Sequence, residues 1–381
     1  MNHTIRESVP RRGRTLWHDS GRNPPSLGCT RCPDLDICGG LRIAAALYSC
    51  LDLCRCLPDG CKMDAVCRRN PAAFVQHLNE VRGFDLGSIP RLPASPRAPN
   101  LPETIPIIYH GRRREKPFAP PAAALSLYDV VAWRDGAPRH RSPTSLRTAF
   151  GLGSHVPLVL SGTATDPSIE RWWSHEAPRR RAAIAELRAV SGDILVTIPN
   201  YSLFRDVPRW DNLHAMKRIA IAWFEFVDGG IPAALHLNAR TECDYERWTR
   251  FVSDRPEVTH VAFEFGTSAG QPGRREWHVA QLTSLAHAVG RPLHLLVRGG
   301  TTVREGLAAA FARITLVDTS AFMKTMMRRR LGQDGCGALV DSPAPTAPGE
   351  PLDELLEYNA KAVGTAAILV AAPRPPDPGY T

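Results

Sequence analysis

The chain has 381 residues, 47 Lys+Arg against 38 Asp+Glu for a formal charge of +9, and 43% apolar residues. That apolar share can build a core and excludes wholesale disorder. No run of 18 uncharged apolar residues occurs, which excludes a membrane span. The first 25 residues carry five arginines and no apolar segment, so a secretory signal is not expected and a cytoplasmic location is.

Charge and cysteine are unevenly spread. Residues 1–121 hold 18 Lys+Arg and 11 Asp+Glu, whereas residues 122–381 hold 29 and 27. Eight of the ten cysteines lie between Cys29 and Cys67. In chain order, the composition predicts a basic disordered arm (1–28) and a Cys-rich metal-binding module (29–86). A Pro/Arg-rich linker (87–121) and a barrel-like α/β domain (122–333) follow. A loop (334–352), a C-terminal helix and strand completing the body (353–371) and a tail (372–381) close the chain.

Cys29, Cys32, Cys38, Cys50, Cys54, Cys56, Cys61 and Cys67 are the candidate metal ligands. Disulfides need an oxidising compartment, to which nothing in the sequence points. Zinc is held by four thiolates, often from two CxxC knuckles, and only Cys29 and Cys32 supply one. An iron–sulfur cluster also takes four thiolates, in several spacings. Both metals stay open, as does a purely structural role for the module. The stretch Cys29-Thr30-Arg31-Cys32-Pro33-Asp34-Leu35-Asp36-Ile37-Cys38-Gly39-Gly40 resembles the start of the SPASM auxiliary-cluster motif of radical-SAM maturation enzymes. The fourth ligand that the motif places after the glycines is missing, and so is the radical-SAM CxxxCxxC. The resemblance therefore implies an iron–sulfur cluster, with zinc as the alternative, and no radical reaction.

Nine prolines in residues 87–121 exclude a long helix there. Arg112, Arg113 and Arg114 within that stretch read either as a phosphate-contacting strip for DNA or RNA or as a solvated loop.

From Ala123 onward short apolar runs alternate with helical spacing. The runs are 123–127, 156–160, 194–198, 233–237, 261–265, 293–297 and 314–317, with 366–371 as an eighth. Eight such units predict a (β/α)8-type barrel; no GxGxxG follows the first strand, as a dinucleotide fold requires.

Barrel chemistry gathers where strands end. Candidate catalytic residues are Asp206, His236, Glu264 and Asp318. Candidate substrate-binding residues are Asn200, Arg205, Asn212, Asn238, Arg240, Arg298, Gly299 and Gly300. His236, Asn238 and Arg240 alternate and are expected on one side, where His236 could meet Glu264 as an acid–base partner. Glu264 could equally pair with Arg298 or Arg240. Asp318 could cap the next helix instead of acting as a base. Arg298-Gly299-Gly300-Thr301-Thr302 leads into a helix and suits an anion. The stretch 197–218 is densest in polar groups and is the expected site.

Pro199-Asn200-Tyr201-Ser202-Leu203-Phe204-Arg205-Asp206-Val207-Pro208 is similar to a segment, P-(D/N)-(F/Y)-S-x-(Y/F)-x-D-x-P, of a bacterial and phage family of unknown function. The resemblance covers residues 190–300. It implies the α/β body and no particular reaction. Two functions follow as expectations. One is a metal-containing barrel enzyme acting on an anionic small molecule, a nucleotide included. The other is a nucleic-acid-binding accessory protein of plasmid or phage type.

Overall fold

Eight short parallel strands follow one another around a ring. They are β1 (Thr104–Pro106), β2 (Ala123–Ser126), β3 (Leu158–Ser161), β4 (Ile194–Thr197), β5 (Ala233–His236), β6 (His260–Glu264), β7 (His294–Arg298) and β8 (Arg313–Asp318). The computed structural model describes residues 16–32, 35–43, 71–132, 134–205, 207–266, 268–299, 303–334 and 338–370. The strand order is β1-β8-β7-β6-β5-β4-β3-β2. A parallel bridge from Ile107 to Ala124, with the Ile108 N–H donating to the Ala124 carbonyl at 2.8 Å, nearly closes the sheet. The body is thus a (β/α)8-type barrel. Among the described residues no helix is long and apolar enough to cross a membrane.

Seven strands fall on the expected apolar runs. The eighth does not. The run expected at 366–371 lies, as far as Val370, in the helix Asp353–Val370, and Ala371 is outside the described residues. Leu352, Leu356, Val363 and Ala366 are buried at helical spacing, so the apolar tail extends a helix stripe. The missing strand is β1, inside the stretch expected to be a linker. Its bonds to β8 use the Glu103 carbonyl (from Leu316 N–H, 2.8 Å) and the Ile107 N–H (to the Asp318 carbonyl, 2.8 Å). The absent N–H of Pro106 therefore costs no bond on that side.

The expected loop 334–352 also holds structure. β10 (Leu339–Pro343) pairs antiparallel with β9 (Arg329–Gln333). Asn359 of the C-terminal helix ties this hairpin down: its Oδ1 accepts from Leu331 N–H at 2.8 Å, and its Nδ2 donates to the Arg329 carbonyl at 2.9 Å.

The chain divides into two compact units. The barrel unit comprises residues 91–200, 222–237 and 252–381. The other comprises residues 1–90, 201–221 and 238–251. The helix Arg209–Asp228 contributes its first part to the latter and its second part to the barrel.

Within the barrel unit, Ile105, Ala124, Val159, Leu195, Ala234, Ala262, Leu296 and Val317 pack in one cluster. A cluster with a member from all eight strands can lie only inside the ring. Strand side chains alternate, so residues two positions on from these also point inward. Toward the C-terminal ends they are Ser126, Ser161, Thr197, His236, Glu264 and Arg298. Toward the N-terminal ends they include His260, His294 and Thr315, and His294 Nε2 lies 2.9 Å from Thr315 Oγ1. An apolar layer is sandwiched between two polar ones.

The other unit is held by buried charge. Arg209 is wholly buried, with Asp244 Oδ1 2.6 Å from Nη2 and Asp19 Oδ2 3.6 Å from Nε. Asp19 Oδ1 accepts the Arg42 N–H at 2.6 Å. Asp244 Oδ2 accepts the N–H groups of Arg240 (2.9 Å) and Thr241 (3.0 Å) and so caps the helix Glu242–Ser253.

Candidate active site

The polar layer at the C-terminal strand ends carries hydroxyls on β2, β3 and β4, an imidazole on β5, a carboxyl on β6 and a guanidinium on β7. Glu264 and Arg298 are register partners across β6 and β7. Arg298 Nη1 lies 3.3 Å from Glu264 Oε2, and Glu264 Oε1 accepts the Gly266 N–H at 2.6 Å. Burial raises the Glu264 pKa, while Arg298 and the Gly266 N–H oppose that rise. Of the sequence alternatives for Glu264, the ion pair with Arg298 is the one present. No hydrogen bond joins it to His236 among the described residues.

Gly266 and Gly299 make this corner possible. A Cβ on Gly266 would lie 2.3 Å from Glu264 Oε1. Gly299 has φ +72, and its Cβ would lie 2.5 Å from the Gly266 nitrogen. The lack of a side chain at Gly299 therefore serves a close approach to another loop's backbone. Gly300 is outside the described residues.

His236 is 3% exposed. Its Nε2 lies 3.3 Å from Thr163 Oγ1. Burial, then the Arg298 charge, lowers its pKa to about 3, so the ring is neutral near pH 7. Its Nδ1 is buried with no hydrogen-bond partner. The same holds for Arg298 Nε and for Asn200 Oδ1, three residues beyond β4. Buried polar atoms are nearly always bonded, so three such atoms at the ends of one barrel call for an explanation. Asn200 is placed by its own N–H, which donates to the Gly162 carbonyl at 3.3 Å. Gly162 precedes Thr163, the partner of His236, and has no room for a Cβ, which would fall 2.4 Å from the Thr197 carbonyl.

Other candidates take different work. Both oxygens of Asp318 accept backbone N–H groups, from Ser320 at 2.9 Å and Ala321 at 2.8 Å. That is the capping alternative, and burial raises its pKa. In the other unit, Asn212 brackets Phe204, accepting its N–H (2.9 Å) and donating to its carbonyl (2.7 Å). Asn238 donates to the Tyr201 carbonyl at 2.8 Å and Arg240 to the Leu203 carbonyl at 2.7 Å. Asn212, Asn238 and Arg240 thus hold the 201–204 segment, whereas Arg209, His214 and Lys217 of the polar-rich stretch 197–218 pair with Asp244, Glu80 and Ser88. Arg205 is exposed, and its carbonyl accepts the Leu16 N–H at 2.7 Å. Asp206 is outside the described residues. His236, expected to share a side with Asn238 and Arg240, has a separate partner.

Of the cysteines, 50, 54, 56, 61 and 67 lie outside the described residues. Cys29 is buried beside Leu16 and Leu41, and its Sγ accepts the Leu41 N–H at 3.3 Å. Cys38 is half-buried, which raises its pKa, with the Arg209 charge opposing. Cys32 is exposed. Arg247 Nη2 donates to the Cys38 carbonyl at 2.8 Å. In the basic strip, Arg114 turns inward to the carbonyls of His110 (2.9 Å) and Gly151 (3.1 Å), leaving Arg112 and Arg113 exposed.

The sequence reading left out Ser126, Ser161 and Thr197 as a ring, although the period of two from the apolar positions marks them. It also left out the Asp19–Arg209–Asp244 set and the pair His77 and Glu80, whose partners are distant in sequence. Comparison with family models, with curated proteins and with solved structures yields no match.

Proposed function

We propose that this chain is a barrel enzyme acting on an anionic substrate, a carboxylate or phosphate compound that also carries a hydroxyl or amide group. The observation behind this reading is the polar layer at the C-terminal strand ends, in which His236 Nδ1 and Arg298 Nε are buried without partners. Catalytic groups of (β/α)8 enzymes sit at that face. An anion supplies the acceptor that Arg298 Nε lacks. A hydroxyl or amide on the same molecule supplies the donor that Asn200 Oδ1 lacks. The neutral His236 ring serves as a hydrogen-bonding group, since its suppressed basicity makes it a poor proton acceptor near pH 7. Glu264, with its raised pKa, is the group for proton exchange.

Thermal unfolding of the full chain with inorganic phosphate, pyrophosphate or malonate tests the reading. At least one of them should raise Tm in proportion to log concentration. The shift should disappear in the double variant Arg298→Ala/Glu264→Gln, which leaves no uncompensated carboxylate behind. No shift with any probe, or an equal shift in the variant, overturns the proposal.

We also infer that the cysteine-bearing segment holds metal, as an iron–sulfur cluster or zinc. The Leu41 N–H on Cys29 Sγ supports this, because such bonds stabilise a ligating thiolate. Anaerobic purification with metal and acid-labile sulfide analysis should find one or the other; a metal-free protein would count against it.

A further inference from the structure

A second potential ligand set, containing no cysteine, lies in the non-barrel unit. The helix Pro71–Glu80 carries His77 and Glu80 three residues apart, hence on one face. The helix Arg209–Asp228 supplies His214. One ligand atom from each of the three lies within 4.8 Å of the others. His214 Nε2 and Glu80 Oε2 are 2.8 Å apart. The His77 and His214 rings stack, with centroids 4.2 Å apart and planes at 12°. Trp210 meets His77 edge-on at 5.5 Å.

The placement is fixed from outside the cluster. Lys217, three residues along from His214, donates its Nζ to the Asp85 carbonyl and to Ser88 Oγ. The Pro71–Glu80 helix is stopped by Gly83 at φ +86, whose N–H donates to the Leu78 carbonyl at 2.8 Å. Val81 and Phe84 then bury the connection. The segment after His77 and Glu80 is therefore fastened to the helix of His214. His214 is buried, whereas the Glu80 side chain is 37% exposed. The cluster is closed on one side and reaches water on the other. Arg218, one turn beyond His214, is a cation whose charge works against a metal; its guanidinium lies 4.2 Å over the Tyr201 ring.

We propose that His77, Glu80 and His214 form a two-histidine, one-carboxylate site for a divalent transition metal, zinc or ferrous iron. Two imidazoles and a carboxylate suit those ions, whereas calcium and magnesium take oxygen ligands. Three protein ligands leave coordination positions open, as in metal sites that do chemistry. The His214–Glu80 hydrogen bond yields to the ion, and the stacked rings separate slightly so that both nitrogens reach it. None of its three ligands is a cysteine or one of the strand-end residues of the barrel.

Cobalt(II) titration of the full chain, stripped with chelator and followed by absorption, tests this. Cobalt on nitrogen and oxygen ligands gives weak visible bands. Cobalt on thiolates adds strong near-ultraviolet charge transfer. The difference between wild type and His77→Ala should show the visible bands alone, together with the loss of one equivalent of cobalt. Glu80→Gln, a conservative change at a partly exposed position, should weaken that equivalent about tenfold or more without altering circular dichroism. Equal stoichiometry and spectra in wild type and His77→Ala overturn the proposal. So does a difference spectrum dominated by thiolate charge transfer.

Discussion

The imidazoles inside the barrel ring and the Arg209 cluster of the other unit are buried in opposite ways. Inside the barrel, His236, His260 and His294 lose their charge: burial lowers their pKa values to about 3, 4 and 3. In the other unit Arg209 keeps its charge between Asp19 and Asp244, all wholly buried. The Arg209 pKa is raised because the two carboxylates outweigh its desolvation, and the Asp244 pKa is lowered by Arg209. Cost follows from this difference. A neutral imidazole inside a protein needs only a hydrogen-bond partner or a ligand. A buried charge needs its counter-charge continuously. The barrel interior can therefore hold unsatisfied atoms for a substrate, whereas the charged set serves as a staple.

The largest effect should come from breaking that staple. Arg209→Met leaves Asp19 and Asp244 as buried, uncompensated carboxylates. Loss of one partner from a buried ion pair costs about 3–5 kcal/mol. Urea unfolding should show a loss of that order, and protease cleavage within residues 16–43 should accelerate. The triple change Asp19→Asn/Arg209→Met/Asp244→Asn should recover part of the loss. A single variant within about 0.5 kcal/mol of wild type would dissolve the contrast between the units, since ordinary surface changes have that size.

Acid should separate the units next. A buried imidazole with a lowered pKa leaves the unfolded chain holding more protons than the folded one. Stability from His236, His260 and His294 is thus complete above their unfolded pKa of about 6.5 and falls as pH drops below it. Each contributes up to about 1.4 kcal/mol per pH unit in that window. Glu264 and Asp318 act in reverse. Their raised pKa values let the folded barrel hold protons above the ordinary carboxylate range, which softens the loss there. Asp244 is lowered, so its contribution persists until pH falls below the ordinary carboxylate range. His214, lowered to about 4, is the counterpart imidazole in the non-barrel unit. Urea midpoints from pH 7.5 to 4.5 should fall, and His260→Gln/His294→Gln should flatten the slope by up to about half, two of the four strongly lowered imidazoles being removed. An unchanged slope in that variant would show that His260 and His294 are not the acid-sensitive groups.

What was legible follows from range. Seven strands were readable because runs of four or five mostly apolar residues between turns mark a buried parallel strand without outside information. β1 was not, because Thr104–Pro106 is three residues set among prolines, and its strand character comes from β8. The run 366–371 misled for the converse reason: apolar content alone cannot distinguish a strand from the end of a helix stripe. At the site, His236, Glu264 and Arg298 were readable as strand-end residues. Asn212, Asn238 and Arg240 are equally polar, but sequence does not tell a side chain facing a ligand from one holding a loop's carbonyls. His77 and Glu80 carry the helix spacing of a ligand pair. Only the fold brings them to His214, 134 residues from Glu80.

The smallest effect concerns Asp318, and it tests where the barrel's polar layer stops. Val317 belongs to the inward cluster, so alternation turns Asp318 away from the ring, and both its oxygens cap the helix Ser320–Met326. Asp318→Asn keeps one acceptor and should cost well under 1 kcal/mol, whereas Asp318→Ala should cost about 1 kcal/mol, as for the loss of a helix cap. Neither should alter the Tm shift produced by an anion at the mouth. A variant that retains stability but loses the anion response would return Asp318 to the candidate active-site residues. The functional layer would then extend one strand further, onto β8.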